Sequence, residues 1–193
     1  MQFTDLILEV DRSLTAAGLE HAFGGALALM HYVQDPRTTW DIDVNVSVDS
    51  SQAERVVRAL EHVASCSEQD LERLRRDDQV RLFAGRYPID IFLVAHEFHD
   101  DVRLNVQRFP FGATELPYIS ATHLAIFKVL FDRPKDWVDI QEMIWTGSVD
   151  IQKATGWLYT LLGDDSRLAK FRAATLTGRS GEVTFREALE RRT

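Results

Sequence analysis

Three aspartates in two short apolar runs carry the clearest chemical signal in this sequence. Asp41 and Asp43 flank one isoleucine, and Asp90 lies between two isoleucines. In a β-strand, side chains two residues apart point to the same face, so Asp41 and Asp43 would lie roughly 6 to 7 Å apart along one strand. Two anions on one face repel each other unless a cation balances them. The pattern therefore predicts a divalent cation, and carboxylate ligands favour Mg²⁺ or Mn²⁺.

Asp90 lies in the most apolar of the predicted strands, where an unpaired carboxylate would be costly. If this strand lies beside the strand of Asp41 and Asp43, the three carboxylates can hold two metal ions about 3.5 to 4 Å apart. That spacing is typical of sites that transfer phosphoryl groups. We therefore expect Asp41, Asp43 and Asp90 to be both metal ligands and catalytic residues.

A glycine pair, Gly24-Gly25, precedes a predicted helix. Free backbone N–H groups at a helix start, together with the absence of side chains, would let a phosphate approach the backbone. A simple turn is the alternative interpretation of two consecutive glycines.

The elements that must position these residues follow from hydrophobic periodicity and turn signals. Helices are predicted at 5–17, 26–33, 54–63, 121–131, 137–146, 150–162 and 185–191, and strands at 20–23, 40–48, 80–83, 89–94 and, as an edge strand, 102–109. Pro110, Gly112 and Pro117 predict a loop. The expected fold class is α/β (α+β), a mixed sheet flanked by helices with a C-terminal helical lobe. We place the domain boundary near residue 117, giving domains 1–117 and 118–193.

Composition sets further limits. A chain of 193 residues with 45% hydrophobic and 27% charged residues is typical of a globular protein with one compact domain and a small additional lobe. We expect a cytoplasmic protein without a membrane partner, because we find neither a membrane-spanning run nor a signal peptide. A net charge of −8 disfavours a broad nucleic-acid surface but leaves a local basic groove open.

Three segments together resemble a known family. They are Phe23-Gly24-Gly25-Ala26-Leu27, then Arg37-Thr38-Thr39-Trp40-Asp41-Ile42-Asp43-Val44, then Ile89-Asp90-Ile91. This order resembles the nucleotidyltransferase superfamily typified by DNA polymerase beta. The Arg-x-Thr-x-Asp-Ile-Asp element resembles the bacterial branch that includes abortive-infection toxins. The resemblance covers roughly residues 20 to 145. It departs from the family in having Gly-Gly where many members have Gly-Ser, and in a longer spacing before Asp41.

The resemblance implies an enzyme that transfers a nucleoside monophosphate from a triphosphate such as ATP to an acceptor hydroxyl, with pyrophosphate leaving. Asp90 would then act as general base or as the metal-bound activator of the acceptor. The acceptor would be an RNA such as a tRNA end, a protein or a small molecule, and an antitoxin protein is an implied partner. Two alternatives stay open: a catalytically inactive relative that binds nucleotide or a partner, and a metal phosphohydrolase.

The resemblance also implies a set of nucleotide-binding residues. These are Gly24, Gly25, Arg37, Thr39, Lys128, Lys135 and Asp136. Lys128 and Lys135 would contact triphosphate oxygens as point charges.

For some of these residues a structural role is the alternative. Asp136 and Asp139 would then belong to the cap and first turn of the helix that starts near Trp137. Trp40, directly before Asp41, stands open as either a base-stacking or a core residue.

Overall fold

The computed structural model describes residues 2–176 of the chain, which form two compact units. The sheet unit comprises residues 2–31 and 36–120, and the helical unit comprises residues 32–35 and 121–176. The helix predicted at 185–191 lies outside the described residues.

The sheet unit is built around one six-stranded mixed sheet with the strand order β3-β4-β2-β1-β6-β5. β2 pairs with β4 and β1 with β6 in parallel, and the other neighbours are antiparallel. Along the chain its elements are α1 (Phe3–Ala16), β1 (His21–Phe23), α2 (Gly25–Leu29), β2 (Ile42–Val46), a short 3-10 helix (Ser50–Gln52), α3 (Ala53–Leu60), α4 (Glu68–Asp77), β3 (Gln79–Ala84), β4 (Tyr87–Phe92), α5 (Phe98–Leu104), β5 (Gln107–Phe111) and β6 (Thr114–Tyr118).

The two central strands have one apolar face and one polar face. In β2 and β4, buried residues alternate with half-buried ones, so that Ile42 and Ile89 are fully buried whereas Asp43 and Asp90 are not. Helix α1 covers the apolar face, because the ring of Phe3 lies 5.3 Å from that of Tyr87, on the same face of β4 as Ile89. The period-two pattern thus places the acidic residues on the face opposite α1.

Most predicted elements of both units are confirmed, with differences of a few residues at their ends. This holds for the helices predicted at 5–17, 54–63, 121–131, 137–146 and 150–162 and for the strands predicted at 20–23, 40–48, 80–83 and 89–94. The helix predicted at 26–33 is shorter and ends at Leu29.

The edge strand predicted at 102–109 is wrong in its first half. Helix α5 runs from Phe98 to Leu104, and strand β5 begins only at Gln107. Phe98 and Val102 are one helical turn apart and both are buried, while Asp100 and Asp101 favour the first turn of a helix through its dipole.

The loop predicted from Pro110, Gly112 and Pro117 is also wrong, because β5 and β6 form an antiparallel hairpin there. Gly112 has a φ of +61°, which suits the tight turn between the strands. Pro110 is tolerated because β5 is the edge strand of the sheet. The boundary predicted near 117 falls within β6, and the two units divide after Ser120.

The helical unit contains α6 (Ala121–Phe131), α7 (Pro134–Trp145), α8 (Ile151–Leu162) and a further helical stretch at 166–176. Its core includes Val129, Ile140, Met143, Leu158 and Phe171, all fully buried. Residues 32–35 join it because the hydroxyl groups of Thr146 and Ser148 donate to the Tyr32 carbonyl at 2.8 and 3.1 Å.

Within residues 2–176, none of the helices has the length and apolar character needed to cross a membrane.

Candidate active site

The strand register brings the acidic residues of β2 and β4 together. In the parallel pair, Asp43 lies directly opposite Asp90, and Asp41 immediately precedes β2 on the same strand path. Neighbouring strands lie about 4.8 Å apart, so the Asp43 and Asp90 side chains leave one face of the sheet side by side. Two adjacent carboxylates on a polar sheet face form the type of site that attracts a cation.

A residue that the sequence analysis did not identify completes this acidic group. Arg81 of β3 lies opposite Asp90 in the antiparallel β3-β4 pair. Its Nε donates to Asp90 Oδ1 at 2.7 Å and its Nη2 donates to Asp90 Oδ2 at 2.6 Å. This two-bond fork is the strongest geometry available to an arginine and a carboxylate. Asp90 therefore has Arg81 on one side and Asp43 on the other.

The pKa of Arg81 is influenced by all three aspartates. The hydrogen bonds to Asp90 raise the pKa of the Arg81 guanidinium the most, and partial burial opposes that shift. The charges of Asp41 and Asp43 raise the same pKa further, which means that both lie within electrostatic reach of Arg81. The guanidinium thus balances part of the negative charge that these three aspartates concentrate on the sheet face.

The second residue of the glycine pair provides the space that Asp43 occupies. Gly25 has a φ of +53°, and a Cβ atom built on it would lie 2.5 Å from Asp43 Cγ and 3.1 Å from Asp43 Cβ. No side chain fits there without moving the carboxylate. The first glycine is tied to the same strand, because the amide of Gly24 donates to the Asp43 carbonyl at 2.8 Å. The sequence predicts a phosphate contact for these glycines, whereas the structure places them against Asp43.

Thr39 holds the chain at the first aspartate. Its hydroxyl accepts from the amide of Asp41 at 3.1 Å and lies 3.4 Å from the Asp41 carbonyl. Arg37 lies in the irregular segment before β2 and is exposed. Nucleotide binding by Arg37 and Thr39 stays a prediction, and the contact seen here makes Thr39 a residue that orients Asp41.

Trp40 lies on the opposite face from the acids. Its ring packs edge-on against Phe3 at 5.6 Å and stacks with Tyr87 at 6.0 Å, although more than half of its surface is exposed. The guanidinium of Arg86 lies 4.9 Å from the centre of the Tyr87 ring. These contacts favour the packing role for Trp40.

The chemistry of the donor set fits Mg²⁺ or Mn²⁺, since hard oxygen ligands are what these ions prefer. The side chains are not arranged as a closed metal centre, because no group of three His, Cys, Asp or Glu side chains among residues 2–176 converges to hold an ion. Both oxygen atoms of Asp90 accept hydrogen bonds from Arg81. The strand register thus brings Asp41, Asp43 and Asp90 together through the backbone, with the Asp90 carboxylate paired to Arg81.

Lys128 and Asp136 belong to the helical unit, where they form a buried ionic cluster with Asp139. The ammonium of Lys128, only 3% exposed, lies 2.5 Å from Asp139 Oδ2 and 3.5 Å from Asp136 Oδ1. Arg133 donates to Asp136 from Nε at 2.6 Å. Burial raises the pKa of Asp136, but the hydrogen bond from Arg133 and the charge of Lys128 outweigh burial and lower it overall.

These contacts give the cluster a structural role in joining α6 to α7. The backbone amide and side chain of Arg133 both donate to Asp136, which closes a capping box at the start of α7. Lys135 is exposed in the first turn of that helix. Triphosphate binding by Lys128, Lys135 and Asp136 stays a prediction, and for Lys128 it would require exchange of a buried ion pair.

We expect Lys128→Met to lower the free energy of unfolding by about 3 kcal/mol, because it leaves the buried Asp139 without its cation. Lys135→Met is the matched control, since it removes the same charge from an exposed position and should change stability by less than about 0.5 kcal/mol. Urea denaturation followed by circular dichroism measures both. Equal stability of the two variants would contradict the structural role.

Comparison with known structures identifies the fold. Two structures of the antibiotic-resistance factor ANT(2'')-Ia are similar to this chain. The solution structure has 13% sequence identity and a TM-score of 0.51, and the match covers 96% of this chain and 96% of that one. The crystal structure of the complex with adenylyl-2''-tobramycin also has 13% identity, with a TM-score of 0.53 and coverage of 93% and 98%.

A third match has a different source. It is an antigenic nucleotidyltransferase-like protein from Paracoccidioides brasiliensis, with 14% identity, a TM-score of 0.50 and coverage of 86% of this chain and 92% of that chain. No protein-family model and no curated protein sequence matches this chain. The expected fold class is thus confirmed: the chain has the mixed sheet and flanking helices of nucleotidyltransferase-fold structures.

Proposed function

We propose that this protein is a metal-dependent nucleotidyltransferase, transferring a nucleoside monophosphate from a triphosphate such as ATP to an acceptor. One observation carries the proposal: the register of the parallel pair sets Asp43 opposite Asp90, with Asp41 directly before β2, in a nucleotidyltransferase-like fold. Three carboxylates at adjacent strand positions are costly to the fold unless they serve a cation. Fold similarity alone would not suffice, because one fold hosts many functions.

In this proposal each residue has a defined task. Asp41, Asp43 and Asp90 would ligate Mg²⁺ or Mn²⁺, which when bound would acidify the acceptor hydroxyl and neutralise the charge of the leaving pyrophosphate. Asp90 would accept the acceptor proton or orient the acceptor oxygen for in-line attack on the α-phosphorus. Gly25 would leave room for the Asp43 carboxylate, and a phosphate would approach the backbone of Gly24 and Gly25 beside it.

We propose a chemical class for the acceptor. A net charge of −8 favours a small or cationic hydroxyl compound over a long RNA, because RNA binding needs concentrated positive charge. The ANT(2'')-Ia complex holds adenylyl-2''-tobramycin, so tobramycin, a small cationic hydroxyl compound, is a reasonable first candidate acceptor. A tRNA end, a protein acceptor, an antitoxin partner and a cytoplasmic location stay predictions.

The test is transfer of label from α-labelled ATP, and from the other three triphosphates, to candidate acceptors. We expect acceptor-bound label and free pyrophosphate with Mg²⁺, complete loss of both with EDTA, and recovery when excess Mg²⁺ is added. The acceptor panel should contain tobramycin, total tRNA and cell protein. Transfer that is unaffected by EDTA would refute the metal requirement.

Two other results would support the alternatives. Release of phosphate from the triphosphate in buffer, with no acceptor labelled, would indicate a phosphohydrolase. Triphosphate binding by calorimetry without a metal requirement and without turnover would indicate a catalytically inactive relative.

A further inference from the structure

We propose that Arg81 is a cationic latch: it holds Asp90 in a metal-free arrangement and must release it before Asp90 can ligate a metal ion. This inference rests on the proposed function, since it assigns Arg81 a role in loading the same site. Arg81 is a positioning residue in this proposal, acting through Asp90.

Arg81 holds the Asp90 carboxylate by both of its oxygen atoms. Strand β4 lies between β3 and β2, so Arg81 and Asp43 flank Asp90 from opposite sides. Both oxygen atoms of Asp90 accept from the guanidinium, at 2.7 and 2.6 Å. The fork therefore occupies both of the oxygen atoms through which Asp90 would ligate a metal ion.

The three acids do not converge on one point while the fork is closed. Within the described part of the chain, no three acidic, histidine or cysteine side chains are arranged to hold a metal ion, even though the backbone sets Asp43 opposite Asp90. Bringing an oxygen atom of Asp90 to an ion shared with Asp41 and Asp43 requires the Asp90 carboxylate to change position. That change breaks at least one bond of the fork, because two parallel N–H···O bonds fix the carboxylate plane.

The ion pair between Arg81 and Asp90 can open at a low cost in free energy. Arg81 is 53% exposed whereas Asp90 is 15% exposed, so the guanidinium can turn into solvent while the carboxylate stays at the sheet. A guanidinium that is half exposed is well hydrated when released, and exposed ion pairs are weak. A divalent ion shared by several carboxylates carries twice the charge and can displace it.

If Arg81 had a supporting role, its removal would change metal affinity in the opposite direction. An arginine that supports a metal-bound carboxylate from behind strengthens metal binding, and its removal typically weakens affinity. A latch competes with the metal, so its removal strengthens affinity. Metal affinity therefore distinguishes the two roles by its sign, without any measurement of turnover.

The experiment is titration of the full chain with Mn²⁺ alone, following the free-ion signal by electron paramagnetic resonance. We expect Arg81→Gln to bind Mn²⁺ roughly three- to fivefold more tightly than wild type, the range that corresponds to loss of a partly exposed ion pair. Arg81→Lys keeps the charge but cannot form the fork, and should bind about twofold more tightly.

Two control variants define the site and the charge effect. Arg76→Gln removes the same charge and a comparable fork, since Arg76 donates to Asp77 through two bonds of 2.8 Å on the surface of α4. It should leave Mn²⁺ affinity unchanged. Asp43→Asn should abolish the binding, which assigns the titrated ion to this site. Circular dichroism melting of each variant confirms that it is folded.

Each remaining outcome overturns the latch. Unchanged or weaker binding by Arg81→Gln, with Mn²⁺ bound by wild type, would show that Arg81 supports the carboxylate and would leave the proposed function intact. Tighter Mn²⁺ binding by Arg81→Gln but not by Arg81→Lys would show that the positive charge, and not the fork, weakens Mn²⁺ binding. Failure of wild type and both Arg81 variants to bind Mn²⁺ would refute the latch together with the metal-dependent function.

Discussion

Asp43→Asn should lower the rate of nucleotide transfer by about 10²- to 10³-fold, corresponding to the several kcal/mol of transition-state stabilisation that a bound metal provides. Asparagine has nearly the same shape as aspartate and fits the same space beside Gly25, but it lacks the negative charge that a metal ligand needs. Asp43 lies opposite Asp90 in the parallel strand pair, so the substitution would remove a proposed metal ligand that adjoins Asp90. The initial rate of label transfer from α-labelled ATP measures the effect.

The control for this variant is Asp100→Asn. Asp100 is an exposed carboxylate in the first turn of α5, and its loss should leave transfer within about twofold of wild type. Asp41→Asn and Asp90→Asn should resemble Asp43→Asn, because a site with three ligands fails when any one is lost. If Asp43→Asn kept full transfer activity while folding normally, the acidic group would not be the catalytic centre.

The sheet face on which the aspartates lie was predictable from sequence, whereas the pairing of their two strands was not. Alternation in Asp41-Ile42-Asp43 and in Ile89-Asp90-Ile91 determines which side chains point away from the apolar core. Strand order is a different matter, since nothing local in either segment states that β4 pairs with β2 in parallel. That pairing depends on long-range packing of α1 and the apolar strand faces, and the three comparisons of overall fold support it.

Arg81 was missed although the sequence contained a usable signal. The connection between β3 and β4 consists of Gly85 and Arg86, so Ala84 pairs with Tyr87, and counting outward in equal steps pairs Arg81 with Asp90. The strands predicted at 80–83 and 89–94 leave a longer connection, 84–88, which hides this register. Because hairpin register is set by turn length, a wrong turn length removes the arginine from the site.

The error at α5 and the position of Lys128 have a common physical origin. Short segments with mixed apolar and charged residues satisfy both a strand pattern and a helix pattern, and tertiary burial decides between them, as it does for Phe98 and Val102. Likewise, a lysine near the end of a helix suggests exposure, and only the folded structure shows that the carboxylate of Asp139 meets it at 2.5 Å. Long-range partners are what a local pattern cannot supply.

Gly25→Ala should lower nucleotide transfer by about 10²-fold, since a displacement of about 1 Å at a catalytic group can have that effect. The alanine Cβ would lie 2.5 Å from Asp43 Cγ, so the carboxylate must leave its position. The backbone conformation adds a second cost, because a φ of +53° is unfavourable for alanine by about 1 kcal/mol. The measurement combines the transfer rate with the melting temperature.

Gly85→Ala separates these two costs. Gly85 has a φ of +61°, and a Cβ atom there would meet no heavy atom within 4 Å, so this variant carries the backbone strain without the clash. Gly85→Ala should lose only the stability that corresponds to the backbone strain, and only Gly25→Ala should lose transfer. Gly24→Ala is intermediate, because its Cβ would lie 3.1 Å from Asn45 Nδ2 and 3.8 Å from Asp43 Cβ. Equal transfer rates for Gly25→Ala and Gly85→Ala would mean that the space beside Asp43 has no part in catalysis, and that the glycine pair serves only the turn.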